Sequence, residues 1–93
     1  MIVLMSWSDF VKRENITIPD DATDAFGGVE GYFLKTLAEL LEGYFERAPE
    51  FGERAWRIRG RKYTIVVWDD GNGWFTPIGV EIEVDKFKYV TRR

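Results

Sequence analysis

Between Val29 and about Arg47 the apolar residues Val29, Tyr32, Phe33, Leu37, Leu40, Leu41, Tyr44 and Phe45 recur at spacings of three and four. Glu30, Lys35, Glu39, Glu42 and Glu46 fall between them, so the stretch predicts one long amphipathic helix. Pro49 and Gly52 close it off. A shorter helix is expected near residues 7–14, where Ser6 and Asp9 have capping-box spacing and Trp7, Phe10 and Val11 follow. Ile16–Pro19 reads as an extended connector. Asp20–Asp24 reads as one turn of helix ended by Gly27 and Gly28.

From residue 54 onward the period changes to two. A two-residue turn at Gly60–Arg61 would set Ile58 opposite Tyr63 and Trp56 opposite Ile65. Asp69-Asp-Gly-Asn-Gly73 is the strongest turn signal in the chain. A strand pairing across it whose residue numbers sum to 143 or 145 puts Tyr63, Ile65 and Val67 beside Ile78, Val80 and Ile82. After Val84 the alternation changes phase, which a turn at Asp85–Lys86 (Phe87 then facing Val84, Tyr89 facing Ile82) or a bulge would explain. Pro77 belongs at an edge, a bulge or a strand start. Met1–Met5 would add a strand or cross the sheet. The expected fold is α+β in two layers. One long amphipathic helix and a short N-terminal helix pack on one face of an antiparallel meander of three to four strands, helices first and strands last.

The 93 residues fit one domain, 1–93, and the composition is that of a globular chain. No Cys and no His are present, so thiol nucleophiles, disulfides and the usual zinc ligands are excluded. The chain also lacks Gln and has two Asn, a composition expected of a thermophile protein. The apolar run Met1–Met5 is far short of a span and has no basic flank, which makes the cytoplasm the expected location and a membrane no partner.

Charge is divided near Arg54. Residues 1–53 hold eleven carboxylates against four basic side chains, and residues 54–93 hold nine basic side chains against five carboxylates. The parity above puts Arg57, Arg59, Lys62, Thr64, Val66, Trp68, Glu81 and Glu83 on the sheet face away from the helices. Arg57, Arg59, Arg61 and Lys62, with Trp68 for stacking, thus form a candidate basic face for phosphates or single-stranded nucleic acid. The competing reading is a cross-strand charge ladder in which Lys62 sits opposite Glu81 or Glu83, with Arg57 and Arg59 one strand further over, so that the two glutamates neutralise the basic face. Glu39, Glu42 and Glu46 form a candidate acidic helix face for a basic partner or a second copy. The carboxylates of the 69–73 turn lack the spacing of a calcium loop, so no metal and no cofactor are expected.

The stretch Trp56-Arg-Ile-Arg-Gly-Arg-Lys-Tyr63-Thr-Ile-Val-Val-Trp-Asp-Asp70 loosely resembles the central strands of RelE-type ribonuclease toxins. That resemblance implies RNA cleavage by Arg57, Arg59 or Arg61 with a late tyrosine such as Tyr89. The residues taken together point first to a small non-enzymatic binding or regulatory protein, of a size common among virus and mobile-element accessory proteins. It would dock a charged face on a protein partner or on another copy of itself. RNA binding, or RelE-like cleavage through the strand pair 54–63, is the alternative.

Overall fold

In the computed structural model, which describes residues 1–84, the chain opens with strand β1 (Ile2–Ser6) and turns at once into helix α1 (Trp7–Arg13). Ser6 makes that junction: its backbone is extended and its hydroxyl accepts from the Asp9 N–H at 3.3 Å. Asp9 in the first turn and Lys12 and Arg13 in the last suit the helix dipole, and Phe10 carries the helix into the core. Asp20–Ala22 forms a 3-10 turn, followed by the two-residue strand β2 (Val29–Glu30) and helix α2 (Gly31–Ala38). Strand β3 (Leu40–Arg47), a 3-10 turn at Pro49–Phe51, and strands β4 (Ala55–Gly60), β5 (Thr64–Asp69) and β6 (Trp74–Glu83) complete the order.

The expected long helix is therefore not formed, and the helices-first, strands-last arrangement with it. Residues 29–47 make a short strand, two turns of helix and a strand of eight residues. The switch lies at Glu39, which takes the left-handed conformation (φ 57°, ψ 57°). Arg61 N–H donates to the Glu39 carbonyl at 2.8 Å, and Lys62 N–H donates to that of Ala38 at 3.0 Å. Contacts from 22 and 24 residues away thus take up helix-end carbonyls that a continuing helix would have used itself. Gly43 inside the expected helix would have cost about 1 kcal/mol, while the aromatic pair Tyr44 and Phe45 suits a strand. Leu34 and Ala38, four apart and fully buried, are the helical contacts that matter, whereas Tyr32 is 76% exposed.

All six strands form one antiparallel sheet in the order β1-β6-β5-β4-β3, with β2 pairing the start of β6. Met1–Met5 adds an edge strand and does not cross the sheet, since Val3 pairs with Ile82 and Met5 with Val80. Across the β4–β5 hairpin Ile58 pairs with Ile65 and Trp56 with Val67. The turn is thus Arg61–Lys62, one residue later than expected. The register moves by two, so every side chain keeps its face. Between β5 and β6 Ile65 pairs with Val80, but Val66 pairs with Gly79 and Val67 with Pro77, leaving Ile78 as an unpaired bulge residue. Pro77 sits in a central strand because of this bulge, and Phe75 rather than Ile78 supplies the buried contact.

Both helices pack on one face. Phe10, Val29, Leu34, Ala38, Ile58, Ile65, Val67, Phe75 and Val80 form the buried cluster there, with Phe45, Trp56, Tyr63 and Ile82 packed against it. Phe10 meets Tyr63 edge-on with ring centroids 4.7 Å apart, and Phe45 meets Trp56 at 5.2 Å. The expected contributions of Phe87 and Tyr89, and the turn at Asp85–Lys86, lie outside the described residues. The described residues make one small compact domain. None of their helices is long and apolar enough to cross a membrane.

Two substitutions test the Glu39 switch. Glu39→Gly removes the steric cost of a side chain in the left-handed region and is expected to raise unfolding stability by about 0.5–1 kcal/mol. Gly60→Ala does the reverse, because a β-carbon at Gly60 would fall on the Ala38 carbonyl. It is expected to lower stability by about 2–3 kcal/mol, read from the midpoint of a urea titration.

Candidate functional site

On the face without helices, β4 and β5 place Ala55, Arg57 and Arg59 beside Trp68, Val66 and Thr64. Arg57 lies down on this surface. Its Nε donates to Glu81 Oε1 at 2.9 Å, a second nitrogen donates to Glu81 Oε2 at 3.1 Å, and that nitrogen also reaches Glu50. The guanidinium stands 5.6 Å from the Phe51 ring centroid. The side chains of Arg57 and Glu81 are only 12% and 13% exposed, so this is a largely desolvated, two-pronged pair. Hydrogen bonds to Glu81 and then Glu50 push the Arg57 pKa further up, and the bond from Arg57 holds Glu50 below the usual carboxylate range. Arg59 pairs with Glu46 at 2.6 Å.

Of the residues proposed for a basic face, Arg57 and Arg59 are therefore engaged by carboxylates, while Arg61 and Lys62 sit at the exposed hairpin tip. Trp68 is 46% exposed and its indole N–H donates to the Phe51 carbonyl at 3.0 Å, which pins the 49–51 turn over the sheet. Phe51, Arg54, Trp68, Asp69 and Asp70 line an open groove of about 400 Å³. The acidic helix face is not assembled. Glu39 caps α2, whereas Glu42 and Glu46 lie on β3, where Glu46 answers Arg59.

A different feature stands at the end of the sheet formed by the 69–73 turn. Thr23 bridges to Val29, and the five residues between them make a tight hairpin. Asp24 holds it: its Oδ1 accepts from Phe26 N–H at 2.9 Å and Gly28 N–H at 2.7 Å, and its own N–H donates to the Gly28 carbonyl at 3.0 Å. Gly27 takes φ 84°, which this turn requires. Phe26 is thereby presented outward, 94% exposed. The β-carbon position of Gly28 is bounded by the carboxylates of Asp24 and Asp70, at 2.8 and 3.1 Å. Residues 20–30 carry Asp20, Asp21, Asp24 and Glu30 and no Lys or Arg. The signal for this feature was available, since an aromatic in Asp-Ala-Phe-Gly-Gly cannot be buried by its own turn.

Tyr63 carries a perturbed hydroxyl. Burial, and then its bond to Glu14 (2.9 Å), push the phenol above its ordinary value. It therefore stays protonated at neutral pH. Asp69 Oδ1 accepts from Gly71 N–H at 2.7 Å and Asp70 Oδ1 from the Thr76 hydroxyl at 3.4 Å, so these carboxylates serve their turn. Among the described residues no three carboxylates converge as metal ligands would.

In comparisons with known proteins, no family model, no curated protein and no solved structure matches the chain.

The Tyr63 shift has a pH consequence. Its folded value lies above that of an unfolded tyrosine, so the stability it confers is complete below about pH 10 and is lost as pH rises through the folded value. Urea midpoints measured across the alkaline range are expected to fall for the wild type, with a shallower fall in Tyr63→Phe.

Proposed function

We propose that the chain is a small non-enzymatic binding protein that docks its acidic hairpin end on a protein partner bearing an apolar pocket rimmed by Lys and Arg. The observation that carries this is Phe26, an almost fully exposed aromatic on a turn whose backbone is fixed by Asp24. Burying a phenylalanine yields about 1.5–3 kcal/mol, and a tip already held in shape loses little freedom on binding. Exposed aromatics of this kind are the usual anchors of interfaces. Asp20, Asp21, Asp24 and Glu30 around it steer towards positive charge and away from polyanions such as RNA and anionic lipid. A regulatory role, in which occupancy of the partner's pocket is the effect, fits this reading.

The ribonuclease alternative has less support. Of its candidate residues Arg57, Arg59 and Arg61, the first two are held by Glu50, Glu81 and Glu46 and the third lies at the exposed hairpin tip, while Tyr89 lies outside the described residues.

A photo-crosslinking amino acid in place of Phe26 tests the proposal in a lysate of the native host. A discrete protein adduct, diminished severalfold by Asp20→Lys with Asp21→Lys, is the expected result. Adducts to nucleic acid alone would sink it. So would binding of labelled single-stranded RNA well below about 10⁻⁴ M that weakens steeply with salt.

A further inference from the structure

The two edges of the sheet are built differently. The β3 edge carries Glu42, Glu46 and Arg47 and an irregular register between Leu40 and Phe45, the devices by which edge strands avoid pairing with other chains. The β1 edge, Ile2-Val-Leu-Met-Ser6, has no charge, no proline and no bulge, and Ile2, Val3 and Leu4 are 59%, 40% and 41% exposed. Val84 N–H donates to the Met1 carbonyl at 2.7 Å, which fixes the hydrogen-bonding phase of β1. By antiparallel alternation Val3 and Met5 bond inward to β6, and the N–H and C=O groups of Ile2 and Leu4 point outward. Helix α1 folds back over the sheet, where Phe10 meets Tyr63, and so leaves this edge open among the described residues.

From this contrast we infer that β1 pairs with β1 of a second copy, antiparallel about a twofold axis at Leu4. Twofold pairing requires opposed residues of equal parity so that both helix-bearing faces stay on the same side. The Leu4-centred register meets that requirement. Leu4 exchanges two backbone bonds with its counterpart, and the outward Ser6 N–H of each copy donates to the Ile2 carbonyl of the other. Val3 lies opposite Met5 on the helix side, and Ile2 opposite Ser6 on the other. A charge at the twofold centre would face its own copy, and this strand has none. The two five-strand paths then run on as one sheet. The contact is short, at the small end of specific interfaces, so association is expected in the micromolar range.

Sedimentation velocity from low micromolar to near-millimolar concentration is expected to show mass rising from one chain to two. Leu4→Lys and Leu4→Glu should each weaken association at least about tenfold, because like charges then meet at the axis, and an equimolar mixture should restore it. In the wild type, amide exchange at Ile2 and Leu4 should slow as concentration rises, a readout that does not depend on either variant folding. A single-chain mass at every concentration overturns the inference. So does a dimer indifferent to both Leu4 variants, which would use another surface. Protection of Leu4 N–H independent of concentration overturns it too, by showing that the chain covers its own edge.

Discussion

The contact on which the rest of the structure depends is the approach of the β4–β5 hairpin to the end of helix α2. Arg61 and Lys62 give their N–H groups to the carbonyls of Glu39 and Ala38, and Gly60 lets the two backbones come that close. This single junction ends the helix, frees Leu40–Arg47 to become the edge strand β3, and fixes the hairpin turn at Arg61–Lys62. It sets Leu34 and Ala38 over Ile58 and Ile65 in the core as well. The left-handed Glu39 costs about 1–2 kcal/mol in intrinsic conformational energy. The hydrogen bonds it permits, each of about 1 kcal/mol net, offset that.

Charge is organised around the same framework. The excess of basic residues after Arg54 is answered on the sheet by Glu46, Glu50 and Glu81, two of which come from the acidic first half of the chain. The asymmetry in sequence is thus partly a set of complementary ladders that join the halves. What is left unanswered by Lys or Arg within its own segment is the carboxylate group of residues 20–30, close to Asp70. Among the described residues, these carboxylates gather at the end of the sheet formed by the 69–73 turn.

How much could be read beforehand divides along the range of the interactions. The Ser6 cap and helix α1, the 69–73 turn and the face to which Trp56, Ile58, Ile65 and Val80 belong rest on local chemistry or on parity, and all were legible. The core face survived a misplaced hairpin turn because a shift of two residues leaves parity unchanged. The helical periodicity of Val29–Arg47 is real only over Gly31–Ala38, because the helix end is dictated by residues 60–63. No local signal marks Glu39, since glutamate is a poor choice for a left-handed cap. Arg57 and Glu81 were legible as sharing one face, but parity set Lys62 and not Arg57 against Glu81, and Glu50 arrives through a 3-10 turn that sequence alone did not place.

The bulge at Ile78 also governs which changes of length strand β6 can absorb. Phe75 and Pro77 face the helices with odd numbers, and Val80 and Ile82 with even ones, so the strand changes phase once along its length. Removing Ile78 itself would join the two halves in a continuous pleat with every remaining side chain on its present face. Losing another residue between Phe75 and Ile82 would cancel the bulge as well, but would reverse the side chains lying between the deletion and Ile78, none if Pro77 or Gly79 is lost and progressively more with distance. Length variation among descendants of this chain is therefore channelled to the few positions around Ile78 in its longest strand, a constraint that lies in counting and not in the identity of any side chain.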